Sequence, residues 1–185
     1  FVRSPDWTLK NAQSSVHKDV GHLRRGVALS RQGKLEAAIR EISNAQNLRP
    51  NDAYLQDLKA ELYMRNKKFK RAANEYRKAT ALDGKDALIL AGYGRALLAS
   101  KQTSKALWVL KQSRERDFRN LRMLRDLALA YSKTGQNGMA SLITAERFAL
   151  QNKTKDAKIH ARRALDTLPR GSPGWQSAED MLVTK

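Results

Sequence analysis

The stretch His22–Pro50, HLRRGVALSRQGKLEAAIREISNAQNLRP, decides the fold because its small and apolar residues recur at a fixed distance along the chain. Ala38 is followed by Ala72 and then, after an equal step, by Ala106. The same step relates three further sets: Ile42, Tyr76 and Leu110; Ala45, Ala79 and Ser113; and Gly26, Ala60 and Gly94. A fixed period of about 34 residues is typical of a solenoid built from helix–turn–helix units.

Within each period, the residues resemble those of a tetratricopeptide (TPR) repeat. The small, apolar and helix-ending positions of the first repeat are Gly26, Leu29, Gly33, Ala38, Ile42, Ala45 and Pro50. We therefore predict an all-α, right-handed TPR superhelix of about nine to eleven helices, stacked as antiparallel pairs. The predicted organisation is an N-terminal helical or linker segment at 1–18, a solenoid at 19–169 and a C-terminal capping helix at 170–185.

The repeat changes phase in its fourth unit. A shift of half a repeat relates Ala128 to Ala145 and Tyr131 to Phe148. This shift predicts that one helix, at about 139–150, serves as the second helix of one unit and the first helix of the next. Ser172 and Pro173 then predict the start of the capping helix, because serine is a good N-cap and proline suits the first helical turn.

Composition limits the classes of function. The 185 residues carry a net charge of +18 and no cysteine, so disulfides and thiolate chemistry are excluded. The excess of lysine and arginine is explained either by solvated helix faces or by an acidic partner, an anionic surface or nucleic acid. No apolar run approaches the roughly 20 residues that a membrane-spanning helix needs. The chain begins at Phe1, so we expect a mature fragment or an excised domain.

Motifs for catalysis are absent from the sequence. The three histidines, His17, His22 and His160, form no HExxH pair, and the chain has no Gly-rich phosphate loop or GxSxG elbow. We therefore expect no enzyme activity, no metal site and no cofactor in this chain. The function expected of it is recognition of a partner.

The concave groove of the predicted superhelix is the first candidate for that recognition. In TPR folds, five positions of each first helix face the groove, and the candidates at these positions are Tyr54, Asp57, Met64, Arg95, Arg122, Arg125 and Lys133. Three of them, Arg95, Arg122 and Arg125, are expected to converge and to suit a carboxylate ligand, since guanidinium binds carboxylate in a bidentate fork. The alternative is that these arginines pair with Asp126 or are simply solvated. Trp108 lies off the repeat pattern, so it either docks a partner on the outer face or packs between helices.

The segment Gly138–Leu182 carries a more specific resemblance. Its stretches GMASL, AERFAL, AKIHARRAL and LPRGSPGWQ resemble the C-terminal end of BepA-type bacterial zinc metallopeptidases. The resemblance implies a periplasmic parent protein, soluble or peripheral to the outer membrane, with zinc only in a peptidase domain outside this chain. The implied partners are unfolded or assembling outer-membrane proteins, their assembly machinery, or the protein's own peptidase domain. Two alternatives stay open: a stand-alone TPR adaptor, and a basic solenoid that binds nucleic acid, although we expect no specific nucleic-acid binding.

Overall fold

The computed structural model describes residues 3–12, 15 and 17–183, and the helices in this part of the chain number eleven, with no strand among them. They are α1 (Pro5–Ala12), α2 (Lys18–Arg31), α3 (Leu35–Leu48), α4 (Ala53–Arg65), α5 (Phe69–Leu82), α6 (Ala87–Ala99), α7 (Thr103–Arg116), α8 (Leu121–Lys133), α9 (Asn137–Leu150), α10 (Thr154–Leu165) and α11 (Pro173–Val183). The chain divides into two compact units, 1–96 and 97–185, with the boundary inside α6. The predicted segment 1–18 therefore contains α1, and its residues 1, 2, 13, 14 and 16 lie outside the described part.

One type of turn joins the two helices of each repeat. A residue with left-handed backbone follows the first helix, at Gly33, Lys67, Lys101 and Gly135, with φ between 56° and 79°. The next backbone N–H donates to the carbonyl five residues earlier, at 2.9 Å in each of the four turns. This hydrogen bond closes a Schellman motif. The left-handed position of this motif favours glycine, because glycine has no Cβ that would be strained at positive φ. The turns therefore recur with the same period as the small and apolar side chains.

A second type of turn leads from one repeat to the next. Here a side chain caps the following helix: the Asp52 carboxylate accepts from the backbone N–H of Tyr54 at 2.9 Å, and Asp86 and Asn120 cap α6 and α8 in the same way. Ser172 caps α11 through the backbone N–H of Trp175 at 3.3 Å. Such caps satisfy backbone donors that have no partner inside the helix.

The order of these turns changes at α9. Asn152, half a repeat after Gly135, has φ 59°, and the N–H of Lys153 donates to the Phe148 carbonyl at 3.0 Å. The turn from α9 to α10 is therefore of the type found inside a repeat, although α8 and α9 are already joined by such a turn. α9 packs against α8 and also against α10, and α11 packs against α10 and α9. One helix thus belongs to two helix pairs.

The small-residue positions form the core within each unit. Ala38, Ala72 and Ala106 are fully buried, and the large side chains of Ile42, Tyr76 and Leu110 are buried beside them. Since a single helix pair cannot bury its apolar face alone, neighbouring pairs pack together, through α3 and α4 in the first unit and through α7 and α8 in the second. Within the described residues, no helix combines the length and the apolar character needed to cross a membrane.

Candidate functional site

The predicted groove positions of α4 and α6 in the first unit carry two large, exposed apolar side chains. Tyr54 and Leu88 occupy the same position in successive repeats, and each is 65% exposed. Met64, near the end of α4, is partly exposed. Exposed apolar side chains at matching positions of neighbouring repeats provide contact area for a partner.

Carboxylates surround this apolar pair. The Tyr54 hydroxyl donates to Asp86 at 3.5 Å, and Asp57 and Glu61 follow on α4. The Arg95 guanidinium donates to the Glu61 carboxylate at 3.2 Å. Arg95 is therefore already engaged by an acid of the preceding repeat.

The charge of Asp57 is unfavourable in this environment. Burial raises the pKa of its carboxyl from 3.8 to about 6, and the nearby charges of Glu61 and Asp86 add to the rise while Arg95 opposes it. Both causes disfavour the ionised form. The position of Asp57 in the fold thus disfavours the ionised form of its carboxyl group.

Replacing Asp57 by asparagine is expected to stabilise the chain near neutral pH. The folded-state pKa lies above the unfolded one, so the stability that Asp57 contributes is fully present below pH 3.8 and is lost as the pH rises through about 6. After discounting for partial exposure, we expect Asp57→Asn to gain about 1–2 kcal/mol at neutral pH and nothing at acid pH. Urea unfolding at both pH values measures this, with Glu115→Gln, a change at an exposed acid, as the control. An equal effect at both pH values would contradict it.

In the second unit, α8 presents a cationic face. Arg122, Arg125, Leu129 and Ser132 follow one another at spacings of three and four residues, so they share one side of the helix. Arg122, Arg125 and Lys133 are all exposed, and Arg125 also donates to the Asp126 carboxylate at 3.0 Å. Because Arg95 belongs to the other unit, its convergence with Arg122 and Arg125 stays a prediction.

Next to this face lies a depression of about 350 Å³, which we call the α8–α10 depression. Three helices contribute its lining of small, hydroxyl and basic side chains: Ala128, Leu129, Ser132, Asn137, Ala140, Ser141, Thr144, His160 and Arg163. Leu129 and Ser132 are groove positions of the fourth repeat, but nothing in the repeat pattern indicated that His160 and Arg163 lie beside them.

A second cavity of the same unit, about 390 Å³, is here called the α9–α11 groove. Its lining combines apolar and charged side chains from α7, α9, α11 and the segment after α7: Arg114, Phe118, Glu146, Ala149, Leu150, Ser177, Asp180 and Met181. Arg114 donates through one nitrogen to both oxygens of Glu146, at 2.7 and 2.9 Å. Phe118 is 62% exposed and lies at the edge of this groove.

The half-repeat shift explains why residues of α9 line this groove. Moving the groove positions Leu129, Ser132 and Lys133 forward by half a repeat gives Glu146, Ala149 and Leu150, which all line the α9–α11 groove. The sequence reasoning missed these residues because it applied the groove positions only up to the fourth repeat. The signal was present in the phase change itself.

Trp108 lies on the surface of α7 with 65% of its area exposed, so the interpretation that it packs between helices is wrong. It lines neither the α8–α10 depression nor the α9–α11 groove. Its role as an outer-face contact stays a prediction.

Residues that could hold a metal ion do not group together in the described part of the chain. The structure there contains no set of three or more histidine, aspartate and glutamate side chains arranged as ligands.

Comparison with known proteins supports the repeat assignment. The family model for YpiA-like tetratricopeptide repeats matches residues 31–83. No curated protein gives a significant match. The family match supports the assignment of TPR repeats to the stretch from the end of α2 to the end of α5.

Solved structures resemble the chain over most of its length. MamA from Desulfovibrio magneticus RS-1, residues 41 to the end, superposes with a TM-score of 0.74 at 17% identity, covering 80% of this chain and 86% of that one. TTC0263, a thermophilic TPR protein in Thermus thermophilus, gives a TM-score of 0.61 at 17% identity, covering 90% of this chain and 100% of that one. At these identities the likeness shows the fold alone, and it confirms the predicted all-α TPR class.

Proposed function

We propose that this chain is a non-catalytic protein-binding module whose α9–α11 groove takes an extended polypeptide segment. The exposed Phe118 at this groove carries the proposal, because a large aromatic side chain beside a cavity is the usual form of an interface anchor. Ala149, Leu150 and Met181 supply apolar contact next to it.

The composition of the groove suits partners of varied sequence. Methionine is flexible and polarisable, so Met181 adapts to apolar side chains of different shape. The Arg114–Glu146 pair provides donors and acceptors for a bound backbone, since both side chains remain partly open to solvent. We therefore infer a site with modest sequence preference, as a binder of unfolded clients requires.

We further propose that the module belongs to a periplasmic zinc metallopeptidase. The support is the resemblance of Gly138–Leu182 to BepA-type peptidases, and this segment contains most of α9, all of α10 and most of α11. The partners would be unfolded or assembling outer-membrane proteins, their assembly machinery, or the peptidase domain itself. A stand-alone TPR adaptor would use the same groove. An HExxH helix encoded upstream of Phe1 would distinguish the two.

Nucleic-acid binding is the second candidate, favoured by the net charge of +18. Such binding releases counterions, so it weakens steeply with salt. We rank it lower because the α9–α11 groove mixes apolar side chains with a neutralised ion pair and so offers little to a phosphate backbone. A tight complex with nucleic acid at physiological salt would reverse this ranking.

Site-specific photo-crosslinking tests the proposed groove. A benzoylphenylalanine at position 150, in place of Leu150, is expected to crosslink an outer-membrane β-barrel protein diluted from urea. The same group in place of Trp108 is expected to give little product, because that position lies off the groove. Crosslinking only from position 108 would move the site to the outer face, and none from either would contradict protein binding by this unit.

A further inference from the structure

Cationic groups collect around the Phe148 ring, which stacks against His160, a lining residue of the α8–α10 depression. The Arg147 guanidinium lies 4.7 Å and the Lys153 ammonium 5.8 Å from the ring centroid, and His160 stacks on the ring at 5.4 Å. Arg163, one helical turn after His160, lines the same depression. α9, α10 and the turn between them thus bring three permanent cations and one titratable group together.

This cluster is poorly balanced by acids. Among the described residues, Asp156 is the one carboxylate whose charge favours the protonated form of His160. Asp126 on α8 is engaged by Arg125, and Glu146 on α9 is engaged by Arg114. Burial lowers the pKa of His160, and the charges of Arg163 and Arg147 lower it further, against Asp156. The depression is therefore lined by one permanent cation, Arg163, and by His160, and no carboxylate is among its lining residues.

The opposite side of the depression is apolar and small. Leu129 on α8 is 46% exposed, and Ala128 and Ala140 leave space between the helices. Ser132 and Ser141 supply hydroxyl groups. The surface thus pairs a cationic wall with an exposed apolar side chain, and Arg122 extends the positive charge along the same face of α8.

We propose that the α8–α10 depression docks an acidic polypeptide segment, with side-chain carboxylates on Arg163 and His160 and an apolar residue on Leu129. Charge complementarity selects this occupant, because a carboxylate supplies the acid that the cluster lacks. A polypeptide fits better than a nucleic acid, since the ring of Phe148 is already covered by His160 and the neighbouring cations. Single-stranded nucleic acids need open aromatic faces for stacking.

This site is separate from the α9–α11 groove. It rests on the proposed function only in that the module binds polypeptides. Phe118 and Arg163 lie in different cavities. Replacing each of them in turn therefore shows whether binding is lost at one site while it persists at the other.

Fluorescence anisotropy with a labelled peptide tests the proposal. The probe alternates glutamate and leucine and carries a C-terminal amide, so only side-chain carboxylates can bind; its matched partner has glutamine for every glutamate. We expect the acidic peptide to bind and the neutral one to bind much more weakly. Arg163→Ala is expected to lower the affinity about tenfold, because it removes a charge-assisted hydrogen bond. Arg116→Ala, which removes one charge from the exposed surface of α7, is expected to leave the affinity nearly unchanged.

The pH dependence provides a second readout. An anionic ligand favours the imidazolium form, so saturating acidic peptide should raise the pKa of His160 in an NMR titration. The affinity should accordingly increase as the pH falls through that pKa, and His160→Gln should abolish the increase while circular dichroism shows an intact fold. Asp156, Arg147, Lys153 and Arg163 remain in this variant, so the lost dependence is assigned to His160.

Three outcomes would overturn the proposal. The first is equal affinity for the acidic and neutral peptides. The second is equal loss of affinity in Arg163→Ala and Arg116→Ala, which reports net charge alone. The third is an oligothymidylate that binds more tightly than the acidic peptide and displaces it at physiological salt, which would assign the depression to nucleic acid.

Discussion

Replacing Gly138 by leucine is expected to destabilise the chain by about 1–3 kcal/mol, because it forces side-chain atoms into a tight contact between α9 and the segment that follows α10. Gly138 is buried in the first turn of α9, and even a Cβ there would lie 2.7 Å from Cδ2 of Leu168 and 2.9 Å from Oγ1 of Thr167. Helix propensity alone predicts the opposite sign, since leucine is favoured over glycine by roughly 0.8 kcal/mol.

Urea unfolding measures this change, with Gln136→Leu as the control. Gln136 is exposed at the N-cap of α9 and its side chain makes no cap hydrogen bond, so the same new side chain there should cost little. For a chain of this length, the loss in Gly138→Leu corresponds to a fall in Tm of several degrees, about 2–4 °C for each kcal/mol. A Gly138→Leu variant as stable as the wild type would contradict the close packing of α9 against α10.

The repeat architecture could be predicted from the sequence because it depends on local rules. Ala38, Ala72 and Ala106 recur at the fixed repeat step, and all three side chains are buried. Lys67 takes the left-handed backbone, with φ 56°, at the turn position that Gly33 occupies one repeat earlier. Small side chains and turn residues determine the geometry within one helix pair, so their positions can be recognised in a single sequence.

The candidate sites were harder to predict because they depend on contacts between repeats. Arg95 was expected to be available to a ligand, yet it pairs with Glu61, which occupies the equivalent position one period earlier. The raised pKa of Asp57 depends on burial by neighbouring helices, which no local pattern describes. The sequence did contain a signal for the α9–α11 groove: shifting the predicted groove positions of α8 forward by half a repeat gives three of its lining residues. That shift was not applied to the groove positions, so the site was missed.

Replacing Phe118 by alanine is expected to weaken the binding of an unfolded polypeptide by about 2 kcal/mol, or about 30-fold in Kd. The reason is the contact area that this exposed ring offers beside Leu150 and Met181 in the α9–α11 groove. The fold should persist, because the ring is mostly exposed and leaves no cavity when it is removed. Circular dichroism and the unfolding midpoint provide that check.

The direct measurement is the Kd of an unfolded outer-membrane β-barrel protein for three forms of the chain: wild type, Phe118→Ala and Trp108→Ala. Both variants remove one exposed aromatic ring from the second unit, so they differ in location rather than in kind. A protein-binding module that uses the α9–α11 groove predicts a large rise in Kd for Phe118→Ala and almost none for Trp108→Ala. A large rise for Trp108→Ala alone, or no measurable binding by the wild type, would contradict it.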